Sequence, residues 1–228
     1  CKQDPLDVRF ARFTCKDGRR QCGQHIYTGR NFNKMKDYIE AIKTAFWKRV
    51  FKEETQYLAK ELSGCKTVLS VGCGPAVIEG ALCAYGFDMT GLDISEEALN
   101  RAPDSVRTIV GSAEQINIPD SSYDAIIYVA SLQFMDDYKK ALIESQRILR
   151  PAGTLLIMLL NPDSVFFEER TSDSASYVNK IKHTDVKEIE KTVSERFVIE
   201  KTEYFLGIRG EDFFDSQDPQ YASLYCIK

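Results

Sequence analysis

The sequence predicts an α/β domain: a doubly wound, mostly parallel sheet, ending in an antiparallel C-terminal hairpin and preceded by lid helices. Three observations predict it. From residue 67 to residue 160, short apolar runs alternate with amphipathic stretches, the rhythm of strands covered by helices on both faces. The apolar runs are near-continuous, as strands buried on two sides require. The last two strand-like runs, Val198–Ile208 and Tyr221–Lys228, have only an acidic, proline-containing loop between them, so they are expected to pair antiparallel.

Residues 1–30 are polar, with Gly18, Gly23 and Gly29 scattered through them, and read as a loose arm. From Asn33 to Leu62 apolar residues recur at three and four, including Met35, Ile39, Ile42, Phe46 and Val50, then Tyr57, Leu58 and Leu62. Two helices are expected there, broken near Arg49–Lys52 and stopped by Gly64. Thr67–Val71 is a β-branched strand, Pro75–Tyr85 a helix with Gly86 after it, and Phe87–Asp93 a second strand. Ser95 caps a helix of about eight residues, with Glu96 and Glu97 in its first turn. Val106–Gly111 is the third strand, Pro119–Ser122 a turn and Tyr123–Ala130 the fourth strand. Asp136 or Asp137 caps a helix carrying Tyr138, Ala141, Leu142, Ser145, Ile148 and Leu149 on one stripe. Pro151-Ala152-Gly153 turns into a fifth strand, Thr154–Leu160. Asn161–Asn179 reads as irregular, the length of a lid or binding insertion, and Thr184–Arg196 as a helix. The expected organisation is an arm with lid helices over residues 1–62 and a core over 63–228, with 161–183 as a lid or insertion.

Composition narrows the function classes. Hydrophobic residues make up 43% and charged residues 28% of 228, which excludes a disordered chain, a collagen and a coiled-coil rod. The longest apolar run, Leu155–Leu160, is far short of the roughly 18 residues of a membrane span, so no membrane partner is expected. Thirty basic against 34 acidic residues leave a net charge of −4, which argues against nucleic acid as the main partner. Lys16, Arg19, Arg20 and Arg30 read as solvated surface. The seven cysteines are odd in number and form no CxxC pair, as in a reducing, cytoplasmic interior. Cys15, Cys22 and His25 are spaced more widely than zinc ligands, and no metal site is expected. Cys1 stands first in place of a methionine, which leaves the native start open.

The chemistry-bearing motif is Val68-Leu69-Ser70-Val71-Gly72-Cys73-Gly74-Pro75-Ala76, between the first strand and its helix. Open parallel sheets bind ligands at the carboxyl ends of their strands, where the strand order reverses. Gly72 and Gly74 let the backbone approach a ligand, and the helix behind them offers free N–H groups. Asp93 ends the second strand and can accept both hydroxyl protons of a ribose. A dinucleotide fingerprint wants glycine where Val77 stands.

Residues Lys66 to Asn161 resemble a class I S-adenosylmethionine-dependent methyltransferase of the type 11 kind, with a Rossmann-like sheet. The resemblance rests on the glycine loop, on Gly91-Leu92-Asp93-Ile94-Ser95, on Gly111-Ser112-Ala113-Glu114 with Ile118-Pro119-Asp120-Ser121-Ser122-Tyr123-Asp124, and on Leu149-Arg150-Pro151-Ala152-Gly153-Thr154-Leu155. It implies a cofactor site at Gly72, Cys73, Gly74, Asp93, Ile94, Ser112, Ala113, Glu114 and Ala130, with Tyr27 of the arm over the ligand. It implies S-adenosylmethionine as methyl donor, S-adenosylhomocysteine as product, and in-line transfer to a small-molecule acceptor by a monomer or homodimer. Four positions depart from the pattern, one being Gln133, which sits where many members carry histidine. Ser70 stands where an acid commonly orders the methionine amino group, Ala76 where a third glycine is usual, and Ser112 where an Asp commonly receives the adenine amino group.

No catalytic residue is assigned. The candidates for a base or orienting group are His25, Tyr27, Gln133, Glu168 and His183, with His183-Thr184-Asp185 also readable as a helix entry. Phe46, Trp47 and Phe51 read as helix packing or as a substrate box, Cys73 as a packed thiol, and Asp124 as a strand-end anchor. Two other readings stand beside methyl transfer. One is an adenosyl-binding regulatory module that has lost turnover; the other is a nicotinamide-dependent oxidoreductase.

Overall fold

The computed structural model describes residue 40, residues 42–173 and residues 176–228. The strands are β1 (Thr67–Val71), β2 (Asp88–Asp93), β3 (Arg107–Val110), β4 (Tyr123–Val129), β5 (Leu149–Leu160), β6 (Thr202–Arg209), β7 (Asp212–Phe214) and β8 (Ala222–Ile227). The helices are α1 (Ala45–Glu61), α2 (Val77–Ala84), α3 (Glu96–Leu99), α4 (Tyr138–Ile148), α5 (Val165–Thr171) and α6 (Val186–Ser194). All eight strands form one sheet in the order β3-β2-β1-β4-β5-β8-β6-β7. The first five run parallel, and β8 pairs antiparallel with both β5 and β6.

The period-two alternation of the central strands sorts the core into two layers. Ile126 and Tyr128 face one side with Leu69, Leu155 and Ile157, under α4 and α6. Ala125 and Ile127 face the other with Val68, Leu156 and Met158, under α1, α2 and α5. Asp124 locks the lower ends of the strands. It accepts bonds from Lys66 N at 3.0 Å and Thr67 N at 2.8 Å, and from Arg150 Nη1 at 2.5 Å.

Several boundaries differ from those expected. The break in the first helical segment falls at Lys43–Thr44, not near Arg49–Lys52. Thr44 Oγ1 caps α1 by accepting from Trp47 N, and nothing in Arg49–Lys52 interrupts the turn. Helix α2 starts two residues after Pro75, because Ala76 adopts a left-handed conformation with φ 52°. Helix α3 is four residues long, half the expected length. Pro151-Ala152-Gly153 does not end one element and start another. It is an irregularity within β5, with Ala152 at φ 61° and a register shift between the partners Tyr123 and Ala125. The stretch 161–179 is not irregular throughout. Ser164 Oγ caps α5 by accepting from Phe167 N at 3.2 Å, and Tyr177–Lys180 makes a 3-10 turn. The closing hairpin forms as β6 and β8, with the short β7 added outside β6.

Candidate active site

The strand order reverses between β1 and β4, and a cavity of about 710 Å³ opens above that point. Its near end is the glycine loop. Gly72 has φ 75° and Gly74 φ 55°, a region L side chains rarely enter. A Cβ on Gly72 would lie 2.7 Å from Ser131 Cβ, so the loop seats directly against the second residue after β4. A Cβ on Gly74 would meet nothing within 4 Å, because that position faces the open cradle. The loop is pinned from both sides. Gly72 N and Cys73 N donate to Leu92 O at 2.7 and 3.2 Å, and Ser131 Oγ donates to Val71 O at 2.6 Å.

Asp93 lines the cavity at the end of β2. Its Oδ2 accepts from Gly74 N at 2.7 Å and its Oδ1 from Ser95 N at 2.8 Å. Each oxygen keeps acceptor capacity for a ligand hydroxyl. Ile94 is 77% exposed and lies over the same rim. Gly111, Ser112, Ala113 and Glu114 form the rim after β3, and Ala130, with φ 45°, the floor after β4. The structure thus gathers Gly72, Cys73, Gly74, Asp93, Ile94, Ser112, Ala113, Glu114 and Ala130 around one hollow. Two of these have structural duties as well. Ser112 Oγ accepts from Glu114 N at 3.2 Å, and Glu114 Oε1 accepts from Asp137 N at 2.9 Å at the start of α4. Cys73 packs its sulfur on Gly91, where an added Cβ would sit 2.6 Å away, and burial pushes the thiol up well above its ordinary range. Tyr27 and His25 lie outside the described residues.

The remaining candidates for a base do not enter the cavity. Gln133 is fully buried and both ends of its amide are used on Leu160: Nε2 donates to its O at 3.0 Å and Oε1 accepts from its N at 2.7 Å. That bridge ties the turn after β4 to the end of β5, so Gln133 is a structural clamp. His183 Nε2 bonds Met135 O at 3.0 Å and its ring packs edge-on against Tyr138. Glu168 is exposed on α5 and does not line the cavity.

The far half of the cavity is aromatic. Trp47 and Phe51 of α1 line it with Phe134, Phe166 and Tyr177. Phe134 stacks on Tyr177 at 6.0 Å, and Trp47 meets Tyr177 edge-on at 6.1 Å. The Arg170 guanidinium braces this wall, 5.5 Å from the Trp47 ring and 5.1 Å from the Phe166 ring. Ile208, Ser223 and Leu224 also line the cavity.

Two carboxyl groups in the lining were missed in the sequence. Glu79 of α2 is 3% exposed, and its Oε1 accepts from Ser70 Oγ at 2.5 Å. Glu54 of α1 is 5% exposed. Burial, with the neighbouring Glu79 charge, pushes Glu54 up to about 8, and burial pushes Glu79 up to about 7. Glu54 lies four residues from both Val50 and Leu58, on the apolar stripe of α1. An acid on such a stripe is the signal that identifies it.

Residues 69–157 match the family described as Methyltransferase domain. This match, the relatives and the shared fold support a class I S-adenosylmethionine-dependent methyltransferase. That family and fold use S-adenosylmethionine as methyl donor. The chain is 34% identical over 98 residues to the 2-methyl-6-phytyl-1,4-hydroquinone methyltransferase of Synechocystis sp., covering 40% of this chain and 31% of that one. It is 32% identical over 121 residues to the malonyl-[acyl-carrier protein] O-methyltransferase of Erwinia billingiae, covering 51% and 47%. The chain therefore spans about half the length, or less, of these curated relatives. The fold is shared with a solved S-adenosylmethionine-dependent methyltransferase of Thermotoga maritima, with a TM-score of 0.71 at 18% identity over 87% of this chain and 96% of that one. Among the described residues, no helix is long and apolar enough to cross a membrane.

Proposed function

We propose that this chain transfers a methyl group to a small molecule with an apolar body. The observation that carries the reading is one continuous cavity, with a glycine cradle and a ribose-type carboxylate at one end and an aromatic slot at the other. The residues fit an adenosyl ligand. Gly74 leaves open space where a side chain would stand, Asp93 presents a carboxylate to that space, and the Ser112–Ala113 rim faces it from the next strand end. When bound, S-adenosylmethionine supplies an activated methyl group on a sulfonium.

The chain's own part is to hold, align and dry the acceptor. Fixing two reactants in line removes much of the entropic barrier, so such a site needs no strong acid or base. Trp47, Phe134, Phe166 and Tyr177 exclude water from the slot and favour an aromatic or aliphatic body. The hydroquinone acceptor named for the Synechocystis relative has a body of that kind. Met135 and Ser131 line the cavity beside Gly72, and the reading puts the acceptor's nucleophilic atom near them.

Thermal melting of the chain with S-adenosylmethionine, S-adenosylhomocysteine or NAD tests the cofactor half. A ligand at about 100 times its dissociation constant adds roughly 2.7 kcal/mol, a shift of several degrees. Both adenosyl ligands are expected to stabilise, and S-adenosylhomocysteine to accumulate with an apolar acceptor panel. A shift with NAD and none with either adenosyl ligand overturns the reading.

A further inference from the structure

The charged side chains that line the cavity are not equally engaged. Asp93 accepts from Gly74 N and Ser95 N, and Glu114 from Asp137 N. Asp136 pairs with Lys182 at 2.5 Å. Glu54 is buried and holds its proton to about 8. Lys180 stands apart. It lines the cavity and is exposed, and no hydrogen bond or ion pair reaches it from any described residue. It ends the 3-10 turn Tyr177–Lys180. Such a helix has three residues per turn, so Lys180 lies on the same face as Tyr177, whose ring is part of the aromatic slot. Arg170 of α5 is a second cation in the same condition. It is half-buried, with its guanidinium 5.5 Å from the Trp47 ring and 5.1 Å from the Phe166 ring, both of them slot walls. Attraction to ring faces uses none of its five N–H donors, and no described residue accepts from them. Trp47 joins the two, because it also meets Tyr177 edge-on at 6.1 Å.

We propose that Lys180 and Arg170 receive an anionic group, a carboxylate or a phosphate, carried by the methyl acceptor. The proposal rests on the reading of the aromatic slot as the acceptor site and narrows it: the acceptor is an amphiphile, not a neutral apolar molecule. Its body lies along Trp47, Phe134, Phe166 and Tyr177, and its charge meets the two cations beside those rings. A guanidinium offers an anion a planar fork of donors, and an ammonium adds a mobile point charge. Water screens an exposed ammonium, so each group contributes modestly and the selectivity comes from the two together.

The test is calorimetric titration of the whole chain, saturated with S-adenosylhomocysteine, and of Lys180→Gln, Arg170→Gln and the double variant, whose folding is checked by melting. Three probes share a phenyl ring on a short chain: 3-phenylpropionate, 2-phenylethyl phosphate and the neutral 3-phenylpropionamide. The parent should bind at least one anion about tenfold tighter than the amide. Each single variant should narrow that preference to about threefold and the double variant abolish it, with amide affinity held. Whichever anion binds the parent more tightly names the group the acceptor carries. Equal binding of amide and anions by the parent overturns the proposal and leaves the apolar slot standing. So does an anion preference that survives in the double variant, or equal weakening of all three probes in the variants, which marks a merely structural brace. Binding of no probe refutes the slot reading and the proposal with it. Failure of S-adenosylhomocysteine to bind refutes the cofactor reading instead, and the same titrations on the chain alone then decide the two cations.

Discussion

Replacing Glu54 by glutamine is expected to stabilise the chain at high pH and to change little at low pH. In the unfolded chain this carboxyl ionises near 4.5, whereas burial and the nearby Glu79 hold its proton in the folded chain to about 8. Between those values the folded state binds more protons than the unfolded state, so stability falls as pH rises. The penalty is absent below pH 4.5, grows through the interval and is complete above about 8. Each pH unit of displacement corresponds to about 1.4 kcal/mol. Because the two acids are adjacent and titrate as a pair, the relief in the variant is on the order of 3 kcal/mol between pH 5 and pH 9. For a chain of this size about 1 kcal/mol moves the melting midpoint by 2–4 °C, so Glu54→Gln should gain roughly 6–12 °C over the parent at pH 9. At pH 5 an amide replaces a protonated acid of the same shape, and the two midpoints should nearly coincide. Melting curves at half-unit pH intervals, with the exposed Glu168→Gln as control, make the measurement. A gain independent of pH, or a loss at pH 9, refutes the argument that this carboxyl is desolvated.

Other outcomes follow from the same geometry. Gly72→Ala forces a Cβ to 2.7 Å from Ser131 at a positive φ, and should cost about 2–3 kcal/mol in urea unfolding. Gly74→Ala has space for its Cβ and should cost only about 1 kcal/mol, yet weaken S-adenosylhomocysteine strongly, because the methyl enters the cradle. Gln133→Leu leaves both Leu160 backbone groups unpaired and should lose about 2 kcal/mol of stability. Two backbone donors, Thr67 and Lys66, together with Arg150 hold the Asp124 carboxyl well below its ordinary value of 3.8. Its stabilisation is present above that value and lost as pH falls, so Asp124→Asn should destabilise at pH 7 and much less at pH 2.

The sheet was legible because its strands are apolar on both faces and its turns carry glycine, which makes Thr67–Val71 and Tyr123–Val129 distinct in a single sequence. The cradle was legible for the same reason: Gly72, Gly74 and Asp93 are fixed by backbone demands that few residue types meet. Tertiary context decided the rest. Gln133 sits where a substrate-orienting group could stand, and only the position of Leu160 shows that its amide is spent on β5. The Ser70 departure looked like the loss of a charge. Its hydroxyl in fact meets Glu79, nine residues on, a pairing created by the fold of α2 over β1. Helix α5 escaped notice because its Ser164 cap opens a seven-residue segment too short to show a period.

Strand β8 is threaded between β5 and β6, although both precede it in the chain. Until it docks, β5 has a bare edge and the β6–β7 pair has no route into the sheet. Assembly thus waits on contacts between residues far apart in sequence, which slows folding and exposes an unpaired edge to other chains. Ser223 and Leu224 come from this latecomer. With β8 undocked, the cavity would keep the glycine loop and lack the part of its lining that Ser223 and Leu224 supply.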